Sequence, residues 1–306
     1  MITDLKVSIL IPTLNAGTEW LKILENINEQ TYEFEKKIIV DSGSTDDTVL
    51  LAEQFGFEVV EIDKNQFNHG KTRQHLVDLA DNIDICIFLT QDAILASVDS
   101  IANLVNAFDD PEAGIAYGRQ LPRKNAGALE IHARLFNYPE VSEILSFADQ
   151  ERLGFKTCFS SNSFAAYRKS ALEAVGGFPS DSIMGEDALV AAKMLMAGYK
   201  KAYVANATAY HSHSYTLTEE FQRYFDTRVF HEQNQWLIEQ FGQPTGEGFK
   251  FIKSELKYVI RNDFKSIFKS ITSLGAKLMG YKSGKYYKKI PIGILKKMSM
   301  HKYYWK

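Results

Sequence analysis

Three polar tips follow apolar runs of strand length, and each carries groups suited to holding a ligand. Residues 7–11 lead into Pro12-Thr13-Leu14-Asn15, residues 37–40 into Asp41-Ser42-Gly43-Ser44, and residues 85–89 into Thr90-Gln91-Asp92-Ala93. A carboxylate at the end of a buried strand is expensive without a partner. For Asp92 a hard divalent cation bridging two phosphates supplies one, and a simple strand-end cap is the plainer reading. Asp41 is placed to accept from a nucleobase N–H or from ribose hydroxyls, while its neighbours Ser44 and Asp47 read as a helix cap with a capping-box partner. Further on, Phe67-Asn68-His69-Gly70-Lys71-Thr72-Arg73-Gln74 opens a helix whose free N–H groups, with Arg73, suit a diphosphate. Glu186 and Asp187 begin another helix, where acids favour the dipole; a carboxylate there also suits a general base that takes a proton from a hydroxyl. His211 and His213, two apart, share one side of an extended segment and suit a metal or a phosphate.

Some chemistries fall away on spacing. The haloacid-dehalogenase phosphatase pattern needs a second Asp where Gly43 stands, and a P-loop needs Gly at position 65, which is Asn. Two cysteines, Cys86 and Cys158, exclude a disulfide scaffold and a multi-cysteine zinc site. Cys86, inside an apolar run, reads as core.

These tips need a frame that brings them to one edge. Apolar runs at 7–11, 37–40, 58–62, 85–89 and 114–117 alternate with helical patterns at 17–29, 46–55, 71–79 and 98–108. That alternation predicts an α/β fold with a doubly wound, mainly parallel sheet and flanking helices, in which ligands bind at the carboxyl ends of the strands. Residues 119–160 read as an irregular insert, a lid or acceptor loop. Strands are expected at 163–167 and 201–204 and helices at 169–175, 187–197 and 217–240, the last closed by Phe241-Gly242-Gln243-Pro244. From 249 to 278, Ile252, Leu256, Val259, Ile260, Phe264, Ile267, Phe268 and Ile271 recur at helical spacing between Lys250, Lys253, Lys257, Arg261, Lys265 and Lys269. This is a basic amphipathic helix.

At 306 residues and 45% hydrophobic the chain can bury a full core, which excludes wholesale disorder. The formal net charge of −3 hides a division: residues 250–306 carry fifteen Lys/Arg against Glu255 and Asp263, or +13, leaving −16 on residues 1–249. We therefore divide the chain into a domain at 1–245 and a basic helical tail at 246–306. The tail suits an anionic membrane surface, the alternative being a helix packed on the acidic body; no nucleic-acid module accompanies the charge. The N-terminus carries an acid where a signal peptide wants bases, and no run reaches the roughly 18 apolar residues of a span. A cytoplasmic protein, peripheral at the inner face of the cell membrane, is expected.

Taken as a set, PTLNAG with Gln30, DSGSTD, FNHGKTRQ, TQDA, GGF, GED and HSHS resemble the family 2 inverting glycosyltransferases of GT-A fold, most closely the rhamnosyltransferase branch, over about residues 5–215. The resemblance implies a nucleotide-sugar donor, dTDP-L-rhamnose first and a UDP-sugar second, with Mg²⁺ or Mn²⁺ and a lipid-linked glycan acceptor in surface-polysaccharide assembly. It assigns Thr13 and Asp41 to nucleobase and ribose, with Asn15, Ser42 and Gln91 beside them, and Arg73 to the diphosphate. Asp92 becomes the metal ligand, completed by His211 or His213. Asp187 becomes the base and Glu186 an acceptor-orienting neighbour. Thr90 stands where the family's D-x-D has its first Asp, so Asp92 acts alone. A non-catalytic sugar-nucleotide binder is the rival from another class, and a binder has no use for a base.

Overall fold

The computed structural model describes residues 5–242 and 246–306. The N-terminal acid Asp4, the Gln243-Pro244 helix stop and the 245/246 boundary lie outside the described residues.

The chain begins with β1 (Val7–Thr13), α1 (Trp20–Asn28), β2 (Lys36–Asp41), α2 (Thr48–Gln54), β3 (Glu58–Glu61), α3 (His69–Leu79) and β4 (Ile85–Leu89). It continues through a short β5 (Ile94–Leu95), α4 (Ser100–Val105), β6 (Ala113–Leu121), α5 (Ala128–Asn137), β7 (Glu143–Leu145), α6 (Gln150–Leu153), β8 (Phe164–Arg168), α7 (Lys169–Ala174), α8 (Glu186–Met196) and β9 (Lys200–Tyr210). One mixed sheet runs β3-β2-β1-β4-β8-β6-β9-β5, with β7 paired to β9. Strands β1 to β4 are mutually parallel, β8 is antiparallel to both β4 and β6, and β9 is parallel to β6. The period of two assigns faces. Ile9 and Ile11 of β1 and Ile85, Ile87 and Leu89 of β4 enter one core with α1 and α4. Leu10, Cys86 and Phe88 enter the opposite core with α3, α7 and α8. Burial on both faces is why these runs are apolar throughout, and it explains Cys86.

The 119–160 stretch is more ordered than its composition suggests. It holds the end of β6 together with α5, β7 and α6, and α5 rests against a later helix, the His132 ring meeting Phe251 and Tyr258 at 5.0 and 5.5 Å. That support is tertiary and leaves no local signal.

The 217–240 helix is two, α9 (Leu217–Gln233) and α10 (Gln235–Phe241). Asn234 divides them, its own amide hydrogen-bonding the Phe230 carbonyl. The basic amphipathic stretch is likewise two helices, α11 (Glu247–Asn262) and α12 (Ile267–Gly284), broken at Asp263, whose carboxylate accepts from the Ser266 hydroxyl. Helix α12 lies close on α9: a Cβ at Gly280 would come within 2.2 Å of the Phe221 carbonyl oxygen. A short α13 (Ile292–Met298) follows, and Leu295 and Trp305 join the core formed by α8, α9 and α10. The change of composition near residue 246 thus coincides with helices that pack on the body.

Candidate active site

The carboxyl ends of β1, β2, β4, β6 and β9 meet at one edge. Asp41 is wholly buried there, and both its oxygens are engaged locally. One accepts from the Thr13 and Ser44 hydroxyls at 2.7 and 2.6 Å, the other from the Gly43 and Ser44 amides at 2.9 and 2.7 Å. Asn15, held at φ +46°, gives its N–H to Ser44 Oγ and accepts the Thr45 amide on its side chain. Ser44 therefore ties two loops together instead of capping α2, which starts later at Thr48, behind Asp47. Ser42 is buried, its N–H bonded to the Thr13 carbonyl. The Gln91 amide clasps Leu14, accepting its N–H at 2.7 Å and donating to its carbonyl at 3.0 Å. Thr13, Asn15, Asp41, Ser42 and Gln91 thus form one braced cradle.

Beside it, Asp92 Oδ2 lies 3.4 Å from His211 Nε2 and 3.5 Å from His213 Nε2. The three potential ligand atoms sit within 4.8 Å of one another. The two-residue spacing in HSHS does what it predicts: both imidazoles reach one carboxylate. Burial works against the ionised form of Asp92, and His211 and His213, when protonated, outweigh it and hold the carboxyl far below its usual value. Burial, reinforced by His211, lowers His213 to about 4. His211 Nδ1 lies 3.0 Å from Gln120 Oε1. With the proton on Nδ1, Nε2 is left bare toward Asp92, the arrangement metal-binding histidines require. The donor set fits a divalent cation.

The second centre is the first turn of α8. Glu186 is buried and paired with Arg73 Nη1 at 3.0 Å, and the same oxygen accepts from Asn162 Nδ2 at 3.0 Å. Burial disfavours its charge, but Arg73, His69 and Asn162 prevail and lower its pKa. Asp187, half-buried, hydrogen-bonds only backbone among the described residues: Ala188 N at 2.8 Å and Asn162 N at 3.3 Å. Burial, then the Glu186 charge, raises it to about 7. Two adjacent carboxylates are thus driven apart, the usual mark of divided roles.

Arg73 reaches this pair because Asn68 caps α3, accepting the Gly70 and Lys71 amides at 3.1 and 3.0 Å. Those amides are engaged by the protein itself. Gly70 is required by proximity, since a Cβ there would lie 1.7 Å from the Pro179 carbonyl oxygen. Gln74 accepts the Phe178 amide at 2.8 Å, so FNHGKTRQ and GGF are locked face to face.

Several residues of this region escape a reading of motifs. Gln120 orients His211, and Arg123 donates to the Asp92 carbonyl at 2.5 Å while pairing with Glu19. Both lie at the end of β6, where the rule applied to the other three tips finds them. Asn162, which touches both acids, carries no local signal.

A family model described as glycosyl transferase family 2 matches residues 8–176. The chain is 48% identical over 302 residues to the O-antigen chain rhamnosyltransferase RfbN of Salmonella typhimurium, covering 98% of this chain and 96% of that protein. To the O-antigen chain rhamnosyltransferase WbaN of Salmonella anatum it is 44% identical over 299 residues, covering 97% and 95%. Among solved structures, the mannosyltransferase PcManGT from Pyrobaculum calidifontis, in complex with GDP-Man and Mn²⁺, superposes with a TM-score of 0.67 at 18% identity, covering 94% of this chain and 88% of that one. S. aureus TarS 1-349 gives 0.55 at 14% identity, covering 93% and 91%. At these identities the structural likeness is one of fold, and it agrees with the GT-A expectation.

Proposed function

The chain belongs to glycosyl transferase family 2 and is a glycosyltransferase; on that premise we propose that it moves L-rhamnose from dTDP-L-rhamnose, with inversion, to a hydroxyl of a lipid-linked glycan in surface-polysaccharide assembly. The two rhamnosyltransferase relatives support the sugar. The observation that carries the chemistry is the pairing of the Asp92–His211–His213 cluster with an uncompensated carboxylate, Asp187, on the same edge of the sheet. The braced cradle of Thr13, Asn15, Asp41, Ser42 and Gln91 receives the nucleotide, Asp41 acting by fixing the 42–44 turn. Asp92, His211 and His213 would hold Mn²⁺, which when bound neutralises the departing diphosphate. Asp187 takes the proton of the acceptor hydroxyl as that oxygen attacks the anomeric carbon opposite the nucleotide. Arg73, held by Glu186, places a fixed positive charge beside the base and at the diphosphate side. One displacement inverts the centre, and no sugar–enzyme bond forms.

Calorimetric titration with dTDP-L-rhamnose, UDP-GlcNAc and UDP-galactose, each with Mn²⁺ and with EDTA, tests this. Metal-dependent binding of dTDP-L-rhamnose alone is the expected result. Preference for a UDP-sugar overturns the rhamnosyl assignment.

A membrane surface is part of the same proposal. No helix among the described residues is long and apolar enough to cross a membrane. Instead, Phe264 and Phe268 stand 68% and 75% exposed at the α11–α12 corner, with Lys265 and Lys269 beside them. Each such lysine contributes about 1 kcal/mol near an anionic surface. A full-length variant with Phe264→Ser, Phe268→Ser, Lys265→Glu and Lys269→Glu should bind phosphatidylglycerol vesicles at least about 30-fold more weakly. Equal binding would remove the membrane role.

A further inference from the structure

The segment at residues 299–305 returns to the candidate active site. Asp226 of α9, fully buried, accepts the Met300 amide at 2.8 Å, and the strap at residues 299–305 starts from that anchor. Its far end is fixed by Trp305, packed on Phe225 and Tyr287, and by the Tyr304 hydroxyl, which donates to the Asp181 carbonyl in the loop before α8. Between the anchors, the His301 ring stands edge-on to His69, centroids 4.9 Å apart at 89°. His69 opens α3, and its carbonyl accepts from the same Arg73 nitrogen that pairs with Glu186. The strap thus touches both segments that frame Glu186. Next to His301, Tyr303 borders a shallow depression of about 310 Å³ with Asp63, Lys64 and Asn65, the turn leading to α3.

The two imidazoles are well placed but idle. Among the described residues neither ring is held by a hydrogen bond; they stack edge-on with each other, His69 also meets Phe67, and both lie in the field of the Glu186 carboxylate. Burial lowers both, His301 to about 4. Near neutrality each therefore offers one N–H donor and one bare nitrogen. A phosphate calls for cations, whereas a hydroxyl, which gives and takes a hydrogen bond, matches a neutral imidazole.

We propose that residues 299–305 form one wall of the sugar site and that His301 hydrogen-bonds a hydroxyl of the donor's sugar beside Glu186. This rests on the glycosyltransferase reading above. It makes a residue outside the matched 8–176 region a determinant of donor recognition.

The test uses full-length His301→Phe and His301→Asn variants, titrated calorimetrically with dTDP-L-rhamnose and with dTDP, both with Mn²⁺. Phe keeps the ring contact and removes the nitrogens, while Asn keeps a donor and an acceptor. His301→Phe should bind dTDP-L-rhamnose about three- to tenfold more weakly, the worth of one neutral hydrogen bond, with dTDP affinity unchanged. His301→Asn should recover most of the loss. Thermal midpoints equal to that of the parent chain confirm that the strap stays docked. Wild-type affinity in the Phe variant, equal weakening toward dTDP, or an Asn variant no better than Phe would each overturn the inference. A parent chain that prefers a UDP-sugar fails the rhamnosyl reading alone, and the same comparison then runs with that sugar and UDP. A parent chain that binds no donor removes both.

Discussion

The Asp92 cluster and the first turn of α8 both gather charge at one edge of the sheet, and they settle it differently. Glu186 is compensated from within: Arg73 and Asn162 occupy its carboxylate, and its side chain is 7% exposed. Asp92 has a side chain 34% exposed, and its close partners are imidazoles that bring no fixed cation. Asp187, one residue from Glu186, forms no ion pair among the described residues and only shares the field of Arg73. Internal compensation makes a positioning group; an open carboxylate is left to act on something that arrives. A single short segment serves both centres. Ser161 accepts the Gln120 side-chain amide at 2.8 Å, and Gln120 orients His211; the next residue, Asn162, holds Glu186 and Asp187. The Asp92 cluster and the Glu186–Asp187 pair are therefore both braced by neighbouring residues just before β8.

The sharpest way to break this contrast is to neutralise the two adjacent acids separately. Asp187→Asn should lower turnover by about 10²- to 10⁴-fold, the usual worth of a general base, with donor binding retained in calorimetry. In the parent chain the rate should fall with decreasing pH through about 7, because the proposed base, Asp187, must be ionised and its pKa is raised to that region. The variant should lack that limb. Stability should move in opposite directions for the two residues. Asp187's folded pKa lies above its unfolded value, so its contribution favours folding at low pH and is lost as pH rises toward 7; Asn should therefore stabilise the chain at pH 8. Glu186 is depressed in the folded state, so its contribution is present above the unfolded value. Glu186→Gln strands Arg73 in the interior and should cost about 3–5 kcal/mol in denaturant unfolding. Full turnover in Asp187→Asn, or equal stability changes in the two variants, would erase the distinction.

How much of this was legible depends on whether the signal is local. The alternation of Ile9, Leu10 and Ile11 between two cores, and the polar tips that follow β1, β2 and β4, are written in sequence-near patterns and survive intact. So does the two-residue spacing that carries His211 and His213 to one oxygen. Ser44 was misleading because a hydroxyl before a helix looks like a cap, yet Asp41 and Asn15 compete for it more effectively. The α11–α12 break hid inside an unbroken apolar rhythm, since the period of Ile260, Phe264 and Ile267 is indifferent to the turn at Asp263. His301 and Asn162 were invisible for a different reason. They reach the site across 232 and 24 residues of chain, from His69 and Glu186 respectively, and only packing brings them there.

The metal side offers a smaller and more selective test. Gln120 accepts from His211 Nδ1 and is itself held by Arg134 and Ser161. Removing it leaves the three proposed ligands in place but frees the His211 ring to turn and to move its proton to Nε2. Losing a residue that orients a metal-binding histidine typically costs about 10- to 100-fold in metal affinity. Gln120→Ala should therefore bind Mn²⁺ that much more weakly in the presence of dTDP, while dTDP binding in EDTA stays unchanged. Gln120→Glu keeps the acceptor and adds a charge opposite Arg134, so it should hold the metal at least as well as the parent chain. If Ala and Glu bind Mn²⁺ alike, the orientation of His211 does not come from β6. The coupling of the two centres through Ser161 and Asn162 would then lose its metal end and leave the α8 turn as the only site that segment sets.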